Sequence, residues 1–149
     1  MADNVILCPV DLSPISIKAL KKAAELARIY NAKLALLHVD EHLMDEKEMV
    51  MLRVSVKDFQ ERQKKYMEEV EKKMVEEVKK AGADDLKVDY IQKEGKKAYK
   101  EILEVADEIN AYMIVMGTSG HSSIEELFLG SNVENVVRRS KIPVLTIRG

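Results

Sequence analysis

The chain has a single cysteine, Cys8, and almost no net charge: 24 Lys and Arg stand against 26 Asp and Glu over 149 residues. One Cys makes no internal disulfide and builds no thiolate zinc site. Near-neutrality removes the global basic field by which proteins grip nucleic acid or anionic membranes. No run approaches the 18 apolar residues of a membrane span, and the first 30 residues lack a signal-peptide pattern. The expectation is a cytoplasmic protein with no membrane and no nucleic-acid partner. Catalytic signatures are missing as well: there is no nucleophile elbow, no H-E-x-x-H and no aromatic platform for bases. His38 and His42 are too isolated to argue for a metal, and His38 at a strand end reads as hydrogen-bonded scaffold. No catalytic residue and no metal ligand is assigned.

What is present is a globular balance, 46% apolar and 34% charged residues, enough for a core without staples. The length favours one domain over residues 1–149. Asn4-Val5-Ile6-Leu7-Cys8-Pro9-Val10-Asp11 is a continuous apolar run too short for a typical helix, so it predicts a strand buried on both faces. Cys8 inside it reads as an inert buried thiol. Ser13-Pro14 supplies an N-cap with Pro at the first helical position, and Ile17, Leu20, Ala24, Ala27 and Ile29 keep helical spacing to Tyr30-Asn31. Lys33–Asp40 repeats the buried-strand pattern, which completes a βαβ unit.

Residues 41–53 break the pattern, and Met44, Met49, Met51 and Leu52 read as a loop folded back on the core, with a mobile Met-rich lid as the alternative. A long helix is predicted from Val54 to Ala81, with Val56, Phe59, Tyr66, Val70, Met74 and Val78 on one stripe and Gly82 at its end. Glu61–Lys65, Glu68–Lys72, Glu69–Lys73 and Glu76–Lys80 are favourable i,i+4 pairs. Residues 41–82 hold 11 acids and 10 bases, a balanced and solvated segment. A strand at Leu86–Ile91, a helix at Lys96–Asn110, a strand at Tyr112–Met116, a helix at Ser131–Ser140 and a strand at Pro143–Ile147 follow. The alternation predicts an α/β fold: an open five-stranded parallel sheet with helices on both faces.

Ligands of such sheets sit outside the carboxyl ends of the strands, where strand order reverses. Two loops fit that position: Pro9-Val10-Asp11-Leu12-Ser13, and Gly117-Thr118-Ser119-Gly120 continuing through His121 to Gly130-Ser131. The second has the spacing G-x2-G-x9-G-S and ends at a helix start, whose free N–H groups attract phosphate. It is not a P-loop, because Gly130 stands where Lys would precede the Ser, and no G-x-G-x-x-G follows the first strand. Ser131-Asn132-Val133-Glu134 also reads as a capping box, and Asp11 as a cap of the next turn.

On these residues the chain resembles the universal stress proteins over essentially its whole length, through Val5–Asp11, Leu34–Asp40, Val115–Gly120, Gly130–Val137 and Pro143–Ile147. The resemblance is to the ATP-binding branch, which the glycine element marks, and it implies a Rossmann-like fold of adenine-nucleotide-binding type. By position it places Gly117, Gly120, Gly130 and Ser131 at the phosphate and ribose side, with a main-chain contact from Val133. It places Asp11 beside the ribose or metal, Pro9 and Val10 in the adjoining wall, Val39 facing adenine, and His121 where a basic residue is common. It implies ATP (or AMP or ADP) with Mg or Mn on the phosphates, and a homodimer formed through the last strand. The function expected is a nucleotide-dependent regulatory switch in a stress response, acting on an unknown protein partner. The alternatives are a slow ATP hydrolase or phosphotransferase using the same pocket, or a scaffold or chaperone-like protein.

Overall fold

In the computed structural model the described residues are 4–41, 46–118 and 131–149. Along them run β1 (Val5–Pro9), α1 (Pro14–Ile29), β2 (Lys33–Asp40), α2 (Glu46–Met51) and α3 (Val56–Lys80). Then follow β3 (Val88–Glu94), α4 (Ala98–Glu108), β4 (Met113–Gly117), α5 (Ser131–Arg139) and β5 (Val144–Ile147). The strands form one parallel five-stranded sheet in the order β3-β2-β1-β4-β5. The α/β architecture read from the sequence is therefore present.

The continuous apolar runs have a simple cause. Successive side chains of a strand point to opposite faces, and both faces are covered. Ile6, Cys8, Leu34 and Leu36 pack with α1 and with Val70, Met74 and Val78 of α3. Leu7, Ala35, Leu37 and Ile114 pack with Ile102 and Val105 of α4 and Val133 and Val136 of α5.

β1 stays paired with β2 through Pro9↔Leu37, yet its register with β4 lasts only through Ile6↔Met113 and Leu7↔Ile114. Alternation explains the early end. The Val5 carbonyl accepts from Tyr112 N–H at 2.8 Å, so Val5, Leu7 and Pro9 turn their backbone groups towards β4, while Val10 N–H donates to Leu37 on β2 at 2.8 Å. Pro9 has no N–H to give. The β1–β4 ladder stops there, and the two strands separate at their carboxyl ends.

Several local readings differ from the expectation. Ser13 is the N-cap of α1 with Pro14 behind it, but its side chain makes no bond to the helix. The helix ends at Ile29, and Asn31 takes φ of 50°, a left-handed value that Asn tolerates. Gly82 does the same after α3, at φ of 66°. Ile29 and Val56 are exposed rather than part of a buried stripe. Residues 46–51 are a short helix, and Met51 and Leu52 are 81% and 63% exposed, so they do not fold back on the core. Met44 and His42 lie outside the described residues. β3 begins at Val88 and runs on through Gln92-Lys93-Glu94, an edge strand that carries polar residues without penalty. None of the four expected i,i+4 pairs of α3 is among the ion pairs closed within the described residues. Those join Lys22–Glu25, Arg28–Asp85, Lys93–Glu108 and Arg138–Glu134. Flexible surface pairs give little energy for holding two long side chains still.

Only from Val70 on does α3 place fully buried residues in the core: Val70, Met74, Glu77 and Val78. Met74→Ala should therefore destabilise the protein by about 2–5 kcal/mol, the cost of a buried cavity. Met67→Ala on the standing-off half should cost less than about 1 kcal/mol. Chemical denaturation followed by circular dichroism measures both; equal losses would mean that α3 is anchored along its whole length.

Candidate functional site

The separation of β1 and β4 opens a crevice of about 470 Å³ at the carboxyl edge of the sheet. Pro9, Val10 and Asp11 enter it from β1, and Leu37, His38 and Val39 from β2. Gly117 and Thr118 enter from β4, and Ser131, Asn132 and Val133 from α5. Of the residues singled out in the sequence, Pro9, Val10, Asp11, Val39, Gly117, Ser131 and Val133 thus line one cavity. Gly120, His121 and Gly130 lie outside the described residues.

Asp11 does act in the turn. Its Oδ1 accepts from Ser13 N–H at 3.0 Å, from the Ser13 hydroxyl and from the Ser16 hydroxyl at 2.7 Å. Ser16 is itself buried, and its Oγ accepts from Asp11 N–H at 3.0 Å. The carboxylate is thereby fixed at the mouth of the crevice. The turn-capping side chain thus also lines the cavity.

Gly117 has a packing reason of its own. A Cβ there would lie 2.8 Å from Ile15 Cγ1 and 3.2 Å from the Ile15 carbonyl oxygen. The first turn of α1 can approach the end of β4 only because that side chain is missing. The expected capping box at the start of α5 is replaced by another arrangement: Glu134 pairs with Arg138 at 2.7 Å, and Asn135 Nδ2 donates to the Ser131 carbonyl at 2.8 Å.

Three functional-looking residues escaped the sequence reading, and a fourth, His38, was read only as scaffold. Glu41, at the end of β2, accepts at Oε2 from Ala98 N–H (3.4 Å) and at Oε1 from Asn132 Nδ2 (3.5 Å). Asn132 Oδ1 accepts in turn from Tyr99 N–H at 3.1 Å. One long contact and one normal one thus satisfy the Ala98 and Tyr99 N–H groups at the start of α4, and a second long contact joins their two acceptors' side chains across the crevice mouth. No local motif marks Glu41, since its partners are far away in sequence.

The other two are buried polar groups. His38, 9% exposed, lines the crevice with its Nδ1 unpartnered, and Glu77, 6% exposed, has an unpartnered Oε2. The hydrogen-bonded scaffold expected of His38 is not what the fold provides. Burial lowers the His38 pKa, with the Asp40 and Asp11 charges opposing, so the ring is neutral at pH 7. Burial raises the Glu77 carboxyl from 4.5 to about 7; Asp11 adds to the rise and Lys80 opposes it. The Cys8 thiol is pushed up by burial, in keeping with an inert side chain. Among the described residues no group of three or more His, Cys, Asp and Glu could hold a metal ion.

Comparison with known proteins gives a consistent answer. The family model described as universal stress protein family matches residues 4–148. Universal stress protein YxiE of Bacillus subtilis (strain 168) is 31% identical over 162 residues, covering 97% of this chain and 99% of the relative. Universal stress protein MJ0577 of Methanocaldococcus jannaschii is 29% identical over 152 residues, covering 96% and 93%. The solved structure of MJ0577 superposes with a TM-score of 0.75 at 30% identity, over 100% of this chain and 98% of that one. A universal stress protein solved in complex with cAMP superposes with a TM-score of 0.64 at 25% identity, over 99% and 98%.

The raised Glu77 carboxyl has a consequence for stability. Between pH 4.5 and about 7 the folded state holds a proton that the unfolded state releases, so stability falls as pH rises through that window. Glu77→Gln should remove that loss: relative to wild type it should gain with rising pH and level off above pH 7, by up to about 3 kcal/mol. Denaturation midpoints measured across that range check it. A constant difference between the two proteins would show that Glu77 does not titrate in this way.

Proposed function

Because the chain belongs to the universal stress protein family, we propose that it binds an adenine nucleotide in the crevice between β1 and β4 and works as a nucleotide-dependent switch. The observation that carries this reading is the convergence on one cavity of residues from β1, β2, β4 and α5, far apart in the sequence. That a similar protein was solved with cAMP supports the choice of adenine.

The chemistry of the lining divides along the crevice. Val39, Ile102 and Met116 give apolar walls suited to a planar base, with the Val39 backbone at its edge. Pro9 and Val10 close the adjoining wall, and the fixed Asp11 carboxylate accepts from ribose hydroxyls. Ser131 and Val133 stand in the first turn of α5, where unsatisfied N–H groups and the helix dipole favour phosphate oxygens. Gly117, with Gly120, His121 and Gly130 of the loop that follows, completes the phosphate side. ATP is the ligand of choice, with AMP or ADP as occupants of the same site. Mg or Mn, carried on the phosphates, cancels part of their charge.

Catalysis is not part of the reading. Asp11 already accepts from two hydroxyls and an N–H, and His38 Nδ1 has no hydrogen-bond partner among the described residues to orient the ring, so neither reads as an activated base. The chain acts as a single universal-stress-type domain of 149 residues in the cytoplasm. It pairs with a second copy through the edge strand β5, whose residues are all half-buried. Nucleotide binding alters the surface offered to a protein partner, provided that the two surface states differ in their affinity for it.

The test is to denature the purified protein and identify released nucleotide by chromatography, alongside calorimetry of the emptied protein with ATP and magnesium. Binding is expected. Gly130→Val should abolish it and leave the circular dichroism spectrum unchanged, because a branched side chain occupies the phosphate space. Normal ATP binding by that variant would move the phosphate site elsewhere.

A further inference from the structure

β3 ends the sheet on one side, so half of its backbone groups have no strand to bond. Two hydrogen bonds at its ends show which half. The Lys87 carbonyl accepts from Leu34 N–H at 3.2 Å, and Gly95 N–H donates to the Asp40 carbonyl at 3.0 Å. In a parallel ladder the N–H and C=O of one residue point the same way, and the direction alternates along the strand. Residues 87, 89, 91, 93 and 95 therefore face β2, and Val88, Tyr90, Gln92 and Glu94 turn their groups outward. Among the described residues no backbone group of another element bonds to the main chain of those four.

Natural sheet edges are guarded by short length, Pro, a bulge or charge. β3 has seven residues, no Pro and an unbroken register with β2 from Leu34↔Val88 to Asp40↔Glu94. Charge remains, and its order decides what it does. Asp89 and Lys93 stand two residues either side of Ile91, on the same face of the sheet. Consider two β3 strands paired antiparallel about a two-fold axis at Ile91. Residue 88 meets 94 and residue 90 meets 92, so the outward groups can exchange their hydrogen bonds. Asp89 of each copy lies opposite Lys93 of the other, at positions where cross-strand side chains come closest. Ile91 meets Ile91 between the two ion pairs. An axis at Tyr90 sets Lys87 against Lys93 instead, and an axis at Gln92 sets Asp89 against Gly95.

Both charges are available. Asp89 closes no ion pair among the described residues, and Lys93 reaches Glu108 only at 3.8 Å, with both side chains well exposed. On the other face a groove of about 480 Å³ between α3 and Tyr90 and Gln92 leaves room for the side chains of an added strand.

We propose that β3 is an interface between two copies of this chain, an antiparallel strand pair centred on Ile91 and selected by the Asp89–Lys93 contacts. It is a different edge from β5 and does not rest on the nucleotide reading. Copies that pair through both edges join their sheets end to end, since each edge takes its own partner copy.

Cross-linking of the full chain tests the register. Ile91→Cys, oxidised mildly, should form a disulfide-linked dimer, because the two Cα atoms lie about 4.5 Å apart across the axis. Cys8 is buried and stays out of the reaction. Asp89→Cys sits four residues out of register with its own copy, about 14 Å away, and should link at least about tenfold more slowly. Sedimentation velocity tests the contacts without added cysteines. Asp89→Lys sets Lys against Lys at both contacts, and Lys93→Glu sets acid against acid. Each should weaken association at least about tenfold relative to wild type. An equimolar mixture of the two variants restores opposite charges at both contacts and should recover the wild-type mass distribution.

Single variants that associate as wild type does overturn the proposal: the copies then meet elsewhere or not at all, and the edge is open to a segment of another protein. A mixture that does not recover overturns it too, because the loss then arises within each chain. So does a folded Ile91→Cys chain that stays unlinked, or one that links more slowly than Asp89→Cys. Should Ile91→Cys fail to fold by circular dichroism, the mixing experiment decides alone.

Discussion

β1 sits in the middle of the sheet, bonded to β2 along its whole length and to β4 only at its start. The difference lies in one missing hydrogen. Pro9 faces β4 without an N–H, and beyond Leu7 the two central strands have nothing to hold them together on that side. Strand order also reverses at this point, so α1 leaves β1 towards one face and α5 follows β4 on the other. Loops that diverge to opposite faces cannot fill the gap between their strands. The crevice, its polar mouth and every candidate contact follow from that separation. Gly117 depends on it as well: with β4 freed, the turn carrying Ile15 can pack against the bare Cα.

The packing divides into an anchored body and a part that stands away. β1, β2 and β4 contribute Ile6, Leu7, Leu36, Leu37, Ile114 and Val115, all without exposed surface, and their burial is the main favourable term in folding. α3 sends fully buried residues into the core only from Val70 on, and α2 presents Val50 and Met51 to solvent. Before Val70 the helix is tied to the edge of the sheet by polar contacts, from Gln92 Nε2 to the Met67 carbonyl at 2.9 Å and from Gln63 Nε2 to Glu94, and few buried contacts mean low local stability. The mouth of the crevice is closer to the body, because Glu41 and Asn132 tie β2, α4 and α5 together.

The strands were legible because burial on both faces leaves no room for polar residues. Lys33–Asp40 was read to its ends, and β4 and β5 to within one residue, from apolar continuity alone. β3 was less visible: at the edge of the sheet its run continues through Gln92, Lys93 and Glu94, and a polar strand end resembles a turn. α2 spans only six residues and has exposed apolar side chains, so it has no amphipathic period to read. In the site, Asp11 and Gly117 could be placed at strand ends and Ser131 at a helix start, whereas Val39, inside β2, was placed only by the family resemblance. Glu41 and Asn132 gain their role from contacts 57 and 33 residues away in sequence, which no local pattern records. Glu77 sits beside Met74 and Val78 at the edge of the apolar stripe, and its acidic character made it look solvated.

Glu77 and His38 show how charge is managed inside a nearly neutral chain. Neither buried atom, Glu77 Oε2 or His38 Nδ1, has a partner, yet burial drives both groups towards their uncharged forms. A neutral, unpaired polar group costs far less to bury than an ion. Asp11, Asp40 and Glu41 line the crevice, and Asp11 and Glu41 are held there by polar donors. The net charge of −2 thus conceals a sorting: His38 and Glu77 are driven towards their uncharged forms where they are buried, and acidic side chains line the opening. The described lining of that opening holds no Lys or Arg, so the nucleotide site proposed there would draw on backbone N–H groups and on the start of α5.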